Sequence, residues 1–150
     1  MRTFAKLAEL EALVGEHIAD SDWIEVTQER IQLFADATND HQWIHLDTER
    51  AKAGPFGTTV AHGFLTLSLL PEMAATAFHV RETRMGVNYG LNKVRFPAPV
   101  PSGSRLRARF KLIAYEALDG GAQITTQVTM EREGSDKPVC VAESIARRFA

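Results

Sequence analysis

From His62 to Phe78 the chain is apolar on nearly every side: Phe64, Leu65, Leu67, Leu69, Leu70, Met73, Ala74, Ala75, Ala77 and Phe78 leave no polar stripe. A helix that is hydrophobic all round is a buried one, so another part of the chain has to wrap it. Pro71 lies inside this segment, and its ring clashes with the carbonyl four residues earlier, which predicts a bend there. The overlapping stretch Gly54 to Pro71 carries no Asp, Glu, Lys or Arg and approaches the length of a membrane span. Its Gly54, Pro55, Gly57, His62 and Gly63 read instead as a buried loop leading into the helix, with no membrane span.

The wrapping material follows that helix. Arg105, Arg107, Arg109 and Lys111 alternate with Leu106, Ala108, Phe110 and Leu112, the period-two signature of a strand with one buried and one solvated face, over residues 104 to 115. After a turn at Asp119, Gly120 and Gly121, residues 122 to 132 alternate in the same way and complete a hairpin. Residues 138 to 149 add a strand after Gly134, Ser135 and Asp136, and Val87 to Phe96 supplies one ahead of Pro97, Pro99 and Pro101. Trp23 to Val26 makes a first short strand. Helices in one half and strands in the other predict an α+β chain, with an antiparallel sheet of about five strands around the central helix.

The N-terminal half is expected to be helical before that. Phe4, Leu7, Leu10, Leu13 and Val14 recur at helical spacing over residues 4 to 14, and Gly15 follows as a stop. Thr27 can cap a second helix that starts at Gln28 and Glu29, buries Ile31, Phe34 and Ala35, and ends at Thr38 and Asn39. The segment Asp40 to Asp47 holds neither period and reads as an ordered loop.

Length and charge narrow the classes of function. A chain of 150 residues can bury roughly 70% of the surface it exposes when unfolded, which suits one domain over residues 1–150. A net charge of −2 argues against a nucleic acid partner, since polyanion binders concentrate Lys and Arg. The single cysteine, Cys140, cannot form an intramolecular disulfide or a multi-thiolate metal site and reads as a buried, inert thiol. Met1 to Gly15 lacks the apolar core of a secretory signal, so a cytoplasmic location is expected.

Polar chemistry gathers between Asp40 and Gly63, where three of the five histidines lie with Asp40, Gln42 and Asp47. Asp40 and His45 can point at one ligand if the loop curls, and a positioned carboxylate and imidazole can take a proton from water and return one to carbon. The spacing equally allows a loop Asp that caps backbone amides and a core His with both nitrogens satisfied. His41, His45, Asp40 and Asp47 are also permitted metal ligands, but a histidine pair four apart binds one ion readily only on a helix. His62 and Gly63 open the apolar helix, where unpaired N–H groups could hold a carbonyl oxygen as it gains charge, or where Gly63 merely permits a turn. The basic row Arg105, Arg107, Arg109 and Lys111 could meet phosphates or be a solvated sheet face.

These residues resemble a known family. The run Phe34, Ala35, Asp36, Ala37, Thr38, Asn39, Asp40, His41, Gln42, Trp43, Ile44, His45, Leu46, Asp47, followed by Ala51, is similar to the hydratase 2 motif of MaoC-like dehydratases. Ala61, His62, Gly63 and Phe64 match the family's second landmark, the start of the central hot-dog helix. Gln42 and Trp43 stand where better-known hydratases carry Asn and Pro, a version that resembles the nodulation-protein-N-like branch. Pro71 takes the place where some (R)-specific hydratases have an active-site serine, so the resemblance leaves that supporting hydrogen bond either absent or supplied from elsewhere, with Ser68 as the candidate.

The resemblance implies a hot-dog fold, a homodimer, and (R)-specific addition of water to trans-2-enoyl thioesters of coenzyme A, with the coenzyme near the subunit interface. Asp40 and His45 are then catalytic, the Gly63 N–H steadies the enolate oxygen, and Gln42, His62 and Ser68 belong to the substrate-binding set. Coenzyme A is part of the substrate, and neither a metal nor a redox cofactor is required. Competing readings are a hot-dog thioesterase and a non-catalytic acyl-CoA or lipid-signal binding protein.

Overall fold

A computed structural model describes residues 1–150. A long antiparallel hairpin is its backbone: β6 (Ser104–Leu118) runs into β7 (Gly121–Arg132) through Asp119 and Gly120. Outside these lie β8 (Cys140–Phe149), β5 (Met85–Arg95), and the two short strands β2 (His17–Asp20) and β3 (Ile24–Val26), which both pair with β6. The resulting sheet has six strands, running β2-β6-β7-β8-β5 with β3 beside β6. A separate parallel pair joins β1 (Arg2–Phe4) to β4 (Phe78–Val80).

The sheet curls around the predicted central helix, which is the hot-dog arrangement. Pro71 divides that helix as expected, into α4 (Gly63–Ser68) and α5 (Leu70–Ala77). Met73 and Ala77 on α5 and Leu106, Ala108 and Leu112 on β6 are all 0% exposed. They belong to one core that draws on both halves of the chain. Arg105, Arg107 and Arg109 point the other way and pair with Glu133, Glu131 and Asp20, so the basic row is an outward face whose three arginines have carboxylate partners. Alternation holds as far as Leu112, where a bulge shifts the register.

The helix is less enclosed than its composition predicts. Phe64 is 72% exposed, and Ser68, Pro71, Glu72 and Ala75 lie on the same open side, because one curled sheet covers only one face of a cylinder. The same side of the molecule carries the edge strand β5, whose Met85, Val87, Tyr89 and Leu91 are also exposed.

Two further expectations are corrected. Residues 4 to 14 do not form an α-helix: Phe4 is taken into β1, and Leu7–Leu13 forms a 3₁₀ helix. Apolar residues at 7, 10 and 13 are three apart, which suits three residues per turn, and Leu7 and Leu10 are the buried ones. The expected loop Asp40 to Asp47 contains a single helical turn, α2 (Trp43–Leu46), and Asp47 then caps α3 (Thr48–Lys52) by accepting from the Arg50 N–H at 3.0 Å.

Helix α1 (Gln28–Thr38) matches its sequence signals. The Thr27 hydroxyl accepts from the Arg30 N–H at 3.1 Å, and Asn39 ends the helix in the left-handed region at φ 64°. Thr27→Ala is expected to lower stability by about 1 kcal/mol, read as a shift of the urea midpoint without a change in slope.

Candidate active site

Three elements converge on one cluster. Asp40 follows the left-handed stop of α1, His45 sits on the helical turn α2, and His62 precedes α4. One ligating atom from each of Asp40, His45 and His62 lies within 4.8 Å of the others. The His45 and His62 rings stack at 3.8 Å between centroids with 24° between planes, and Phe34 of α1 packs against His62 at 4.9 Å.

The hydrogen bonds define which nitrogen does what. His45 Nδ1 lies 2.6 Å from the Val60 carbonyl oxygen, and His62 Nε2 lies 3.0 Å from the Asp40 carbonyl oxygen. A carbonyl only accepts, so each of these nitrogens carries the proton. In the neutral ring, His45 Nε2 is therefore left as an acceptor. The backbone that carries His45 is itself anchored: Gln28 Nε2 donates to the His45 carbonyl at 2.8 Å, and the Thr59 hydroxyl donates to Gln28 Oε1 at 2.6 Å.

Charge state follows from burial. His45 is 6% exposed, and its pKa is lowered from 6.5, by burial first, then against that by the Val60 hydrogen bond, with His62 lowering it and Asp40 raising it. The ring is thus kept neutral with a free lone pair. Asp40 lies at the surface of the cluster, where its carboxylate accepts one long bond, 3.3 Å, from the Gln42 N–H.

His45 and Gly63 line one cavity of about 370 Å³ together with Thr66 and Phe96. The amides of Gly63 and Phe64, at the start of α4, donate to no protein acceptor. A Cβ at Gly63 would come 3.2 Å from the Phe96 ring, so a larger residue would push against that wall. The cluster's composition would admit a metal ion, but the lone pairs of stacked imidazoles lie in near-parallel planes and do not converge on one point. The other two candidate ligands are elsewhere: His41 pairs with Asp36 at 3.0 Å, and Asp47 is occupied as a helix cap.

A MaoC-like domain matches residues 9–134. The chain is 58% identical over 151 residues, covering 100% of both chains, to 3-hydroxyacyl-thioester dehydratase Z of Mycobacterium tuberculosis. The chain belongs to the MaoC-like dehydratase family. This MaoC-like dehydratase is also 47% identical over 142 residues to nodulation protein N of Rhizobium leguminosarum bv. viciae, covering 93% of this chain and 88% of the relative. Among solved structures it superposes on R-hydratase PhaJ1 of Pseudomonas aeruginosa with a TM-score of 0.73 at 25% identity, covering 95% of this chain and 84% of that one. Membership makes the protein a hydro-lyase with the hot-dog fold. No helix is long and apolar enough to cross a membrane.

The structure separates the residues of the MaoC-like dehydratase that the sequence placed together. Asp40, His45, His62 and Gly63 share one region, and Gln42 contributes to it through its backbone N–H. Ser68 lies further along α4, donates to the Leu65 carbonyl at 2.7 Å, and lines a different cavity beside Pro71. Sequence reasoning missed Val60, Gln28 and Thr59, which hold His45, and Thr66, whose hydroxyl is buried without a partner at the cavity that His45 and Gly63 line. Their contacts span 15 to 31 residues, and no local pattern signals them. Cys140 is buried and its thiol is pushed up to about 11, as befits an inert core thiol.

Proposed function

We propose that this protein catalyses the reversible (R)-specific hydration of trans-2-enoyl-CoA to (R)-3-hydroxyacyl-CoA, with Asp40 and His45 as the acid/base pair. The observation that carries the reading is the Asp40–His45–His62 cluster, with a buried neutral His45, whose Nε2 is unprotonated, lining the same cavity as Gly63 and its open amide. Water held by Asp40 and His45 loses a proton to the pair as its oxygen bonds to the β carbon. The electrons of the double bond move toward the thioester carbonyl, whose oxygen the Gly63 N–H steadies, and a proton returns to the α carbon. His62 stacks on His45 and holds the Asp40 main chain, so it positions both. The reaction needs no electron acceptor, and the acid/base pair supplies the proton transfers without a metal.

Residues 1–150 are proposed to act as one hot-dog unit, supported by a core that joins both halves of the chain. We also propose a homodimer, supported by the unpaired backbone edge of β5 at the end of the sheet, which can pair with the same edge of a second copy.

The direct test mixes purified protein with crotonyl-CoA, follows the ultraviolet absorbance of the enoyl thioester, and analyses the product on a chiral column. Loss of absorbance with (R)-3-hydroxybutyryl-CoA is expected; no change with short or longer enoyl-CoAs would reject the reading and favour a thioesterase or a binding protein. Acidity gives a second check. The catalytic base is the neutral ring of His45, so activity persists above its folded pKa and falls as pH drops through it. Because that pKa is lowered, the acidic limb of kcat/KM should have its midpoint below pH 6.5, and a midpoint above this value would remove His45 as the base.

A further inference from the structure

The core-facing row of β8 ends on a charge. Cys140, Ala142 and Ser144 point inward, and the alternation places Ala146 and then Arg148 on the same face. Arg148 stands opposite Ala122 of β7, which is 0% exposed, and opposite Gly86 of β5. Its guanidinium lies 5.0 Å from the centre of the Phe78 ring. No ion pair of the chain includes it. Its Nε is buried with no hydrogen-bond partner, and the same is true of the Thr83 hydroxyl. Burial lowers its pKa, the sign of a cation that has lost water without gaining a counter-charge.

Arg148 and Thr83 line one cavity of about 340 Å³, between α5 and the sheet, and no Asp or Glu lines it. This cavity shares Leu70, Pro71, Asn88 and Ser144 with a second one of about 520 Å³, whose lining begins at Phe64, next to Gly63. The two form a continuous trough along α4 and α5. From Phe64 to Ala75 it covers roughly 16 Å at the rise of a helix. Its wall is apolar at Phe64, Leu67, Leu70, Ala74 and Ala75, carries the uncharged polar Ser68, Asn88 and Ser144, and reaches the cation at Arg148.

An apolar channel that closes on an unpaired guanidinium fits an extended hydrocarbon with an anion at its far end. We propose that the acyl group this enzyme accepts is an ω-carboxyacyl chain, laid along α4–α5, with its terminal carboxylate received by Arg148 and the Thr83 hydroxyl. The inference rests on the hydratase reading, which puts the thioester at Gly63. A carboxylate matches the planar fork of arginine bidentately and restores the counter-charge that the fold omits. The phosphates of coenzyme A suit the trough poorly, since they would bring several charges into apolar walls with one cation.

The test compares matched pairs of saturated acyl-CoAs from eight to fourteen carbons, one member ending in a methyl group and the other in a carboxylate, by calorimetry on the full chain. At the best length the carboxylate member should bind at least about tenfold more tightly, a difference of about 1.4 kcal/mol. Arg148→Met should abolish the preference by weakening only the carboxylate member, while Arg148→Lys, which keeps the charge without the fork, should retain part of it. Equal or weaker binding of the carboxylate member at every length would overturn the proposal. So would an equal loss for both members in Arg148→Met, which would place the CoA phosphates at this arginine. Calorimetry needs no turnover, so a failure to hydrate short, longer and ω-carboxy enoyl-CoAs alike would reject the hydratase reading without deciding the comparison of chain ends.

Discussion

Asp40→Asn is expected to lower kcat for enoyl-CoA hydration by at least about 10², within the range for general acid/base groups, while the protein stays folded. The substitution keeps the size of the side chain, and the Asn oxygen can still accept the 3.3 Å bond from the Gln42 N–H. The bond that ties this residue to His62 uses the main-chain carbonyl, which the change does not touch. What is lost is the carboxylate as proton carrier and the negative charge beside His45. Asp40 also lies at the surface, so no buried group is left unpaired. Thermal melting and the enoyl absorbance assay on one preparation check both halves, and a folded Asp40→Asn protein with near-parental kcat would remove Asp40 from the mechanism.

Phe110→Ala should produce the largest loss of stability, about 3–5 kcal/mol as for other buried Phe truncations. Phe110 is 1% exposed and belongs to the row of β6 that faces α5. Its ring meets Phe78 edge-on, with centroids 5.8 Å apart and planes at 73°. Phe110 already borders the cavity that ends at Arg148, so truncation would enlarge an existing void. Urea denaturation reads the change as a fall in midpoint; a loss below about 1 kcal/mol would show that the sheet and α5 repack, as loosely filled sites can.

Elements whose signal is carried by neighbours in sequence were legible. The alternation of β6 and β7, the Thr27 cap, the Asn39 stop and the break at Pro71 all follow from local geometry. The short strands β1, β2 and β4 were not, because three or four residues are too few to show a period, and their pairing comes from distant partners. In the 3₁₀ segment the spacing 7, 10, 13 was present in the sequence, yet Phe4 and Val14 made an α-helical face look continuous until β1 removed one end of it.

The site divides along the same line. The residue types and their order, with Asp40, His45, His62 and Gly63 ahead of an apolar helix, were in the sequence and carried the family resemblance. Tertiary structure decided which of the polar residues meet. The turn of α2 rotates His45 inward onto the Val60 carbonyl, whereas His41 turns back to Asp36 on α1 and Asp47 is spent on a cap. His62 reaches Asp40 across 22 residues, a distance over which spacing says nothing about direction. The open face of α4–α5 and the inward arginine of β8 are likewise tertiary facts. Composition tells that a helix wants cover, but only the curl of the sheet determines which face it receives and which charge is left beneath it.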